Sequence, residues 1–268
     1  MNPMSVSRRL GVFVAALLGA SCASTTHAPD TRGGAKIERV DKEFDIASGV
    51  TRVAIDNPWG EINVRGRDER EVGIHAVIQR LPPKFQKVEF RSRRDGDTLR
   101  IEVVASADTH ARADIAVYVP GDLALALSTR DGRIAAKRRA GAIEATTTSG
   151  EIQASSLGRL TLKSDTGQIR AIAIGKRWQG ASEIITTTGR IVLLVPTFGD
   201  IALDAETGGK LGTGFGLSVH SLANGRHEAH ARYGAGLSPL HVKSATGEIV
   251  LEQLVLLGDD SNLPEDDD

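Results

Sequence analysis

The sequence predicts an all-β chain built as a stacked β-solenoid, and three observations carry that expectation. The first is a phrase that recurs through the second half: Ser, Thr, Asp or Asn, then Gly, one further residue, and usually Ile. It reads Asp131-Gly132-Arg133-Ile134, Ser149-Gly150-Glu151-Ile152, Thr166-Gly167-Gln168-Ile169, Thr188-Gly189-Arg190-Ile191 and Thr246-Gly247-Glu248-Ile249, with looser copies at Thr207-Gly208 and Asn224-Gly225. These glycines recur every 17 to 22 residues, a period that marks repeat architectures. The second observation is strict alternation of apolar and polar residues on both sides of each Gly, the signature of a strand with one buried face. The third is that no amphipathic helix stands out anywhere in the chain.

Taken in order, the N-terminus comes first. Arg8 and Arg9 precede an apolar run, Leu10 to Leu18, and then Gly19-Ala20-Ser21-Cys22. A basic start, a short apolar stretch and small residues make a signal peptide over residues 1–22, too short to span a bilayer. Cys22 is the single cysteine, so no disulfide is expected within the chain. Leu18-Gly19-Ala20-Ser21-Cys22 resembles a bacterial lipobox, with Gly19 departing from the usual Leu; the resemblance implies that Cys22 is lipidated. Ala23, rather than Asp, after it implies, by the same likeness, the outer membrane. Ordinary cleavage after Ala23 is the alternative. Residues 23–35, rich in Ser, Thr, Gly, Pro and Ala, read as a flexible tether.

Residues 36–128 read as an N-terminal β portion. Val53/Ile55, Ile62/Val64, Val72/Ile74/Ala76/Ile78, Val88/Phe90, Leu99/Ile101/Val103 and Ile115/Val117/Val119 alternate, with turns at Asn57-Pro58-Trp59-Gly60 and Asp95-Gly96-Asp97. Residues 129–257 read as the solenoid repeats. Each is a strand, a tight corner and a second strand, with Gly expected at the corner for its access to positive φ. Stacked in register, Ile152, Ile169 and Ile191 should lie inside and Glu151, Gln168 and Arg190 outside, with neighbouring rungs about 4.8 Å apart, close enough for Arg133 to pair with Glu151. Residues 258–268 form an acidic tail without apolar periodicity, expected to be disordered.

The segment from Val53 to Val64, the run Ile115-Ala116-Val117-Tyr118-Val119-Pro120 and the Thr-x-Gly-x-Ile rungs resemble the bacterial "putative adhesin" β-solenoid family over about residues 40 to 255. That resemblance implies a right-handed parallel β-helix, export from the cell, and no catalytic residues; some such proteins are linked to envelope-stress signalling.

The chemistry legible in the residues is sparse. The chain holds 33 Lys and Arg against 34 Asp and Glu, which argues against a nucleic-acid partner. A β-helix carbohydrate-active enzyme, a polysaccharide lyase or hydrolase, is the alternative reading, and Glu151 with Asp165 one rung away is its best carboxyl pair. Asp165, however, fills a corner position held elsewhere by Arg130, Thr148 and Thr187. His220, His227, His230 and His241 crowd together without the spacing of a zincin, and Gly212-Thr213-Gly214-Phe215-Gly216 lacks the helix a phosphate loop needs. Neither a metal nor a cofactor is expected. One charge cluster remains: residues 65–100 hold ten Lys and Arg against six acids, including Arg91, Arg93 and Arg94, and Lys137-Arg138-Arg139 lie beyond. These read either as a solvated strand edge or as a face for anionic envelope polymer or lipid headgroups. The resulting expectation is an exported, lipid-anchored, non-enzymatic binding or scaffold module of the periplasm or outer membrane. Its partner would be an envelope polymer or protein.

Overall fold

The computed structural model describes residues 30–32, 34–82, 87–105 and 111–255. The signal segment with Cys22, most of the tether and the acidic tail lie outside the described residues. All regular structure among the described residues is β. The N-terminal part supplies β1 (Asp30–Arg32), β2 (Ala35–Asp45), β3 (Arg52–Asp56), β4 (Ile62–Arg67), β5 (Glu71–Arg80), β6 (Glu89–Asp95), β7 (Thr98–Val104) and β8 (Ala111–Pro120). The repeats supply β9 (Ala124–Ser128), β10 (Ile134–Arg139), β11 (Ile143–Thr147), β12 (Ile152–Ser156), β13 (Leu160–Ser164), β14 (Ile169–Ala173), β15 (Ser182–Thr186) and β16 (Ile191–Pro196). The last are β17 (Ile201–Thr207), β18 (Leu211–Thr213), β19 (His220–Ser221), β20 (His227–Arg232), β21 (Ser238–Ser244) and β22 (Ile249–Leu254).

From β9 to β19 consecutive strands go to alternate sheets, whereas β19, β20 and β21 all lie in one. One sheet runs β1-β2-β5-β8-β4-β10-β12-β14-β16-β22-β18, the other β19-β20-β17-β21-β15-β13-β11-β9-β3-β7-β6. Both are mixed. Within the repeats the neighbours are parallel and in register, so Ile62, Ile134, Ile152, Ile169, Ile191 and Ile249 form one ladder, each with no measurable exposure. Val53, Leu125, Ile143 and Leu160 do the same in the second sheet, and both ladders belong to one hydrophobic core. The N-terminal part shares that core, because β3 pairs with β9 and β4 with β10 in parallel register. β2 and β5 then extend the first sheet antiparallel.

The corner glycines serve a purpose other than the one expected. Among Gly132, Gly150, Gly167, Gly189 and Gly247 none has positive φ; in this column only Gly60 does, at +130°. Close approach is what requires them. A Cβ on Gly132 would lie 1.7 Å from the carbonyl oxygen of Gly60, one on Gly150 1.8 Å from that of Gly132, and one on Gly167 1.8 Å from that of Gly150. The column continues from Gly167 to Gly189 and from Gly189 to Gly247. Three residues before each Gly stands a buried Ser or Thr that the sequence reading passed over. Thr129, Thr147, Ser164, Thr186 and Ser244 each accept the Gly N–H through their side-chain oxygen, at 2.8 to 3.2 Å. Thr129, Thr147 and Thr186 donate in turn to a carbonyl of the preceding rung. Asn57 holds the equivalent place in the first rung, donating to the Ala113 carbonyl at 2.8 Å. The Gly N–H groups of these corners are thus satisfied within the chain, as burial demands; the Asn57 Oδ1 is buried without a protein partner.

Rung order also departs from chain order. Gly247 sits on Gly189, and β21–β22 lie between β15–β16 and the outermost rung, β17–β18. Apolar content accounts for the exchange. Leu240, Val242, Ile249 and Leu251 are all fully buried in the interior rung, whereas β18 offers only part-buried Leu211. Gly209, rather than Gly208, approaches the Gly247 carbonyl. Gly225, read as a loose repeat, instead turns a hairpin at φ +78° between β19 and β20.

Candidate functional site

The basic residues singled out in the sequence do not form one face. Arg91 and Arg93 lie on β6, the edge strand of the second sheet, beside Glu89 (3.1 Å) and Glu102 (3.4 Å) respectively. Arg94 stands opposite Leu99 on the other side of the strand, its Nε donating to the Gly96 carbonyl at 2.8 Å. Lys137 and Arg138 are exposed on β10, in the first sheet.

Arg139 leaves the surface altogether. A bulge between Ala136 and Arg139 breaks the β10–β12 register. Arg138 takes φ +54° there, the one non-glycine with positive φ among the described residues, and donates its backbone N–H to the Ser155 hydroxyl at 2.7 Å. The extra residue rotates the chain so that the next side chain points inward. Arg139 is 1% exposed, with Nη1 donating to the Val119 carbonyl at 3.2 Å and Nη2 to that of Pro120. Burial lowers the guanidinium's pKa, opposed by the charge of Asp122. The third residue of a Lys-Arg-Arg run therefore bolts β10 to the end of β8.

A concavity lies on the outer face of the N-terminal strands. Two adjoining clefts, about 380 and 460 Å³, share Asp41 and His75. The His75 ring meets Tyr118 edge-on, centroids 5.2 Å apart, and its Nδ1 hydrogen-bonds Asp41. Glu61, Asn63 and Asp114 close one cleft; Arg67, Gly73 and Tyr118 close the other. Arg67 is held by Glu69 at 3.1 Å and by Glu71. Sequence reading did not find this site, because β2, β5 and β8 bring together residues far apart in the chain.

The enzymatic pair looks different in place. Glu151 accepts from Gln153 at 2.9 Å and lies 3.8 Å from Arg133, the ion pair expected from the rung spacing. Asp165 is exposed at its corner, where its backbone carbonyl receives Thr186, Thr187 and Thr188. No group of His, Cys, Asp and Glu among the described residues is placed to hold a metal ion.

No family model and no curated protein matches the chain. Solved structures do. A putative cell adhesion protein from Clostridium sporogenes overlays with a TM-score of 0.51 at 14% identity, over 82% of this chain and all of that one. The chain has the fold of that protein. Putative adhesins from Bacteroides fragilis (TM-score 0.28, 8% identity, 81% of this chain, 97% of that one) and Parabacteroides distasonis (0.29, 6%, 81% and 97%) are also similar. The likeness in fold falls on the kind of protein that the sequence resembles.

At the far end of this adhesin-like fold, three adjacent strands present His230, Asp204 and His241 in one outward row. Asp204 accepts from His230 Nδ1 at 2.8 Å and lies 3.4 Å from His241 Nδ1; Glu228 is 3.5 Å from His230 Nε2. The Asp204 hydrogen bond, and then Glu228, raise the His230 pKa above 6.5. A raised folded-state value stabilises the fold below the unfolded value and ceases to do so as pH rises through the folded one. Wild type should therefore gain melting temperature over His230→Gln as pH falls from about 8 to about 5. The two should converge at the alkaline end, and a difference that grows with pH would refute the assignment.

Proposed function

We propose that the chain is an exported, non-enzymatic adhesin-like binding module of the bacterial cell envelope, anchored through lipidated Cys22 and wound as a right-handed parallel β-helix. The observation that carries this reading is the parallel stack of rungs, in register from β4 to β22 apart from the bulge in β10. It builds long, flat faces whose charged groups are shared between neighbouring rungs, as in Arg190–Glu248 at 2.9 Å and Lys163–Glu183 at 3.5 Å. Flat polar faces suit extended partners, whereas catalysis wants convergent groups in a deep site. Right-handed winding is the sense parallel crossovers take almost without exception. The fold shared with the putative cell adhesion protein from Clostridium sporogenes supports the same reading.

Fractionation tests it. Cys22→Ser should move the protein from the membrane to the soluble fraction, and the wild-type N-terminus should carry acyl mass. The released form should still be retained by isolated envelopes. A free N-terminus at Ser24, or no retention by envelopes, would overturn the anchored or the binding part respectively.

A further inference from the structure

The bulge in β10 places two cations where every other rung places one residue. Lys137 follows Ala136, which pairs with Val64, so Arg65 is its neighbour on β4; Arg65 in turn pairs with Tyr118 on β8, and Tyr118 with Gly73 on β5. These side chains share the outer face, since the residues alternating with them, Val64, Ala136 and Val117, are buried. A row therefore crosses the first sheet from Tyr118 through Arg65 to Lys137, with Arg138 added by the bulge. At strand spacings of about 4.8 Å it is roughly 10 Å long. One end opens into the larger cleft, where the Arg67 guanidinium stands over Gly73 beside the Tyr118 ring and His75 holds that ring edge-on.

The backbone is arranged to keep this display. A non-glycine residue in left-handed conformation is strained, and such strain persists only where surroundings over-determine it. Here those surroundings are the Ser155 hydroxyl on the Arg138 N–H and the buried Arg139 guanidinium tied to the carbonyls that follow Tyr118. The same guanidinium thus fixes the spacing between the aromatic ring and the two exposed cations.

We propose that this strip, Tyr118, Arg65, Lys137 and Arg138, binds a linear carboxylated polysaccharide; the proposal rests on the reading of the chain as an envelope-binding module. A line of cations one residue wide fits an extended anion. Guanidinium forks match carboxylates in two-pronged hydrogen bonds, and an aromatic ring takes the apolar face of a sugar. Of the three carboxylates lining the larger cleft, Asp41 is hydrogen-bonded to His75 and Glu69 is paired with Arg67, and Glu43 is the third. A membrane surface would call for a broad cationic plane instead.

Polygalacturonate serves as the probe, with dextran as the neutral control and phosphatidylglycerol vesicles as the lipid control, all against the full mature chain. Wild type should bind polygalacturonate, less as salt rises, and neither control. Arg65→Ala with Lys137→Ala should weaken binding about tenfold or more. Arg138→Gly is the sharper variant, since glycine accepts the left-handed conformation. It should hold or raise the melting temperature and still weaken binding. Arg91→Ala with Arg93→Ala should leave binding unchanged. Binding indifferent to Arg138→Gly and to the double variant, or binding to vesicles in place of polygalacturonate, overturns the proposal. If isolated envelopes retain the protein while polygalacturonate does not, this strip fails and the module stands; the reverse pattern fails the module and keeps the strip.

Discussion

Gly150→Ala is expected to destabilise the protein by about 3 kcal/mol or more, at or beyond the upper end for overpacking. The new methyl group would lie 1.8 Å from the Gly132 carbonyl oxygen, with the Thr147 side-chain oxygen at 3.0 Å on another side. The obstructing atom is backbone, locked in a parallel ladder on either side, so no side chain can swing away to relieve the overlap. Neighbouring rungs must separate instead, which opens the Ile134–Ile152 contact in the core. Gly212→Ala is the matched control. Its Cβ would meet nothing within 4 Å and its φ is not positive, so the change should stay within about 0.5 kcal/mol. Urea denaturation of both variants decides the matter. Equal shifts would mean that the corner glycines serve flexibility rather than approach.

The second large effect is Ile169→Asp. Ile169 has no measurable exposure, and its ladder neighbours are Ile152 and Ile191. The substitution removes an aliphatic side chain from a close-packed column and leaves a carboxylate with no partner there. The lost packing and the desolvation together should cost above about 4 kcal/mol. Gln168→Ala, one residue earlier and facing out, should change stability by no more than about 0.5 kcal/mol. Comparable melting shifts for the two would place the register one residue out, because a single-residue slip exchanges the two faces of a strand.

The repeats were legible because each rung carries its own alternation. The reason for the glycines was not, since positive φ and close approach ask for the same residue and differ only in three dimensions. The buried Ser/Thr column was present in the sequence at a fixed three-residue offset. It was masked by corners such as Thr146-Thr147-Thr148-Ser149, where every neighbour is also a hydroxyl residue. Lys137-Arg138-Arg139 reads as one basic run because a bulge has no compositional signal; only the break in register turns Arg139 inward. The strip was illegible for a simpler reason. Arg65 and Tyr118 meet through a pairing between β4 and β8, and no local pattern announces which distant strands will pair.

The exchanged order of the last rungs has a kinetic consequence. As the chain emerges N-terminus first, strands β9 to β16 can each dock on one already in place. β17 cannot: its partners are β20 and β21, both made later, and it never pairs with β16. The growing stack therefore halts at β15–β16, with Ile184, Ile191 and Leu193 at an open end, until residues 238–254 arrive to cover them. The final segment is inserted like a keystone, fitting between pieces that precede it. Maturation is thus all-or-none at that end, and a chain cut short before β21 would expose an apolar surface where a single lost terminal rung would otherwise have been tolerated.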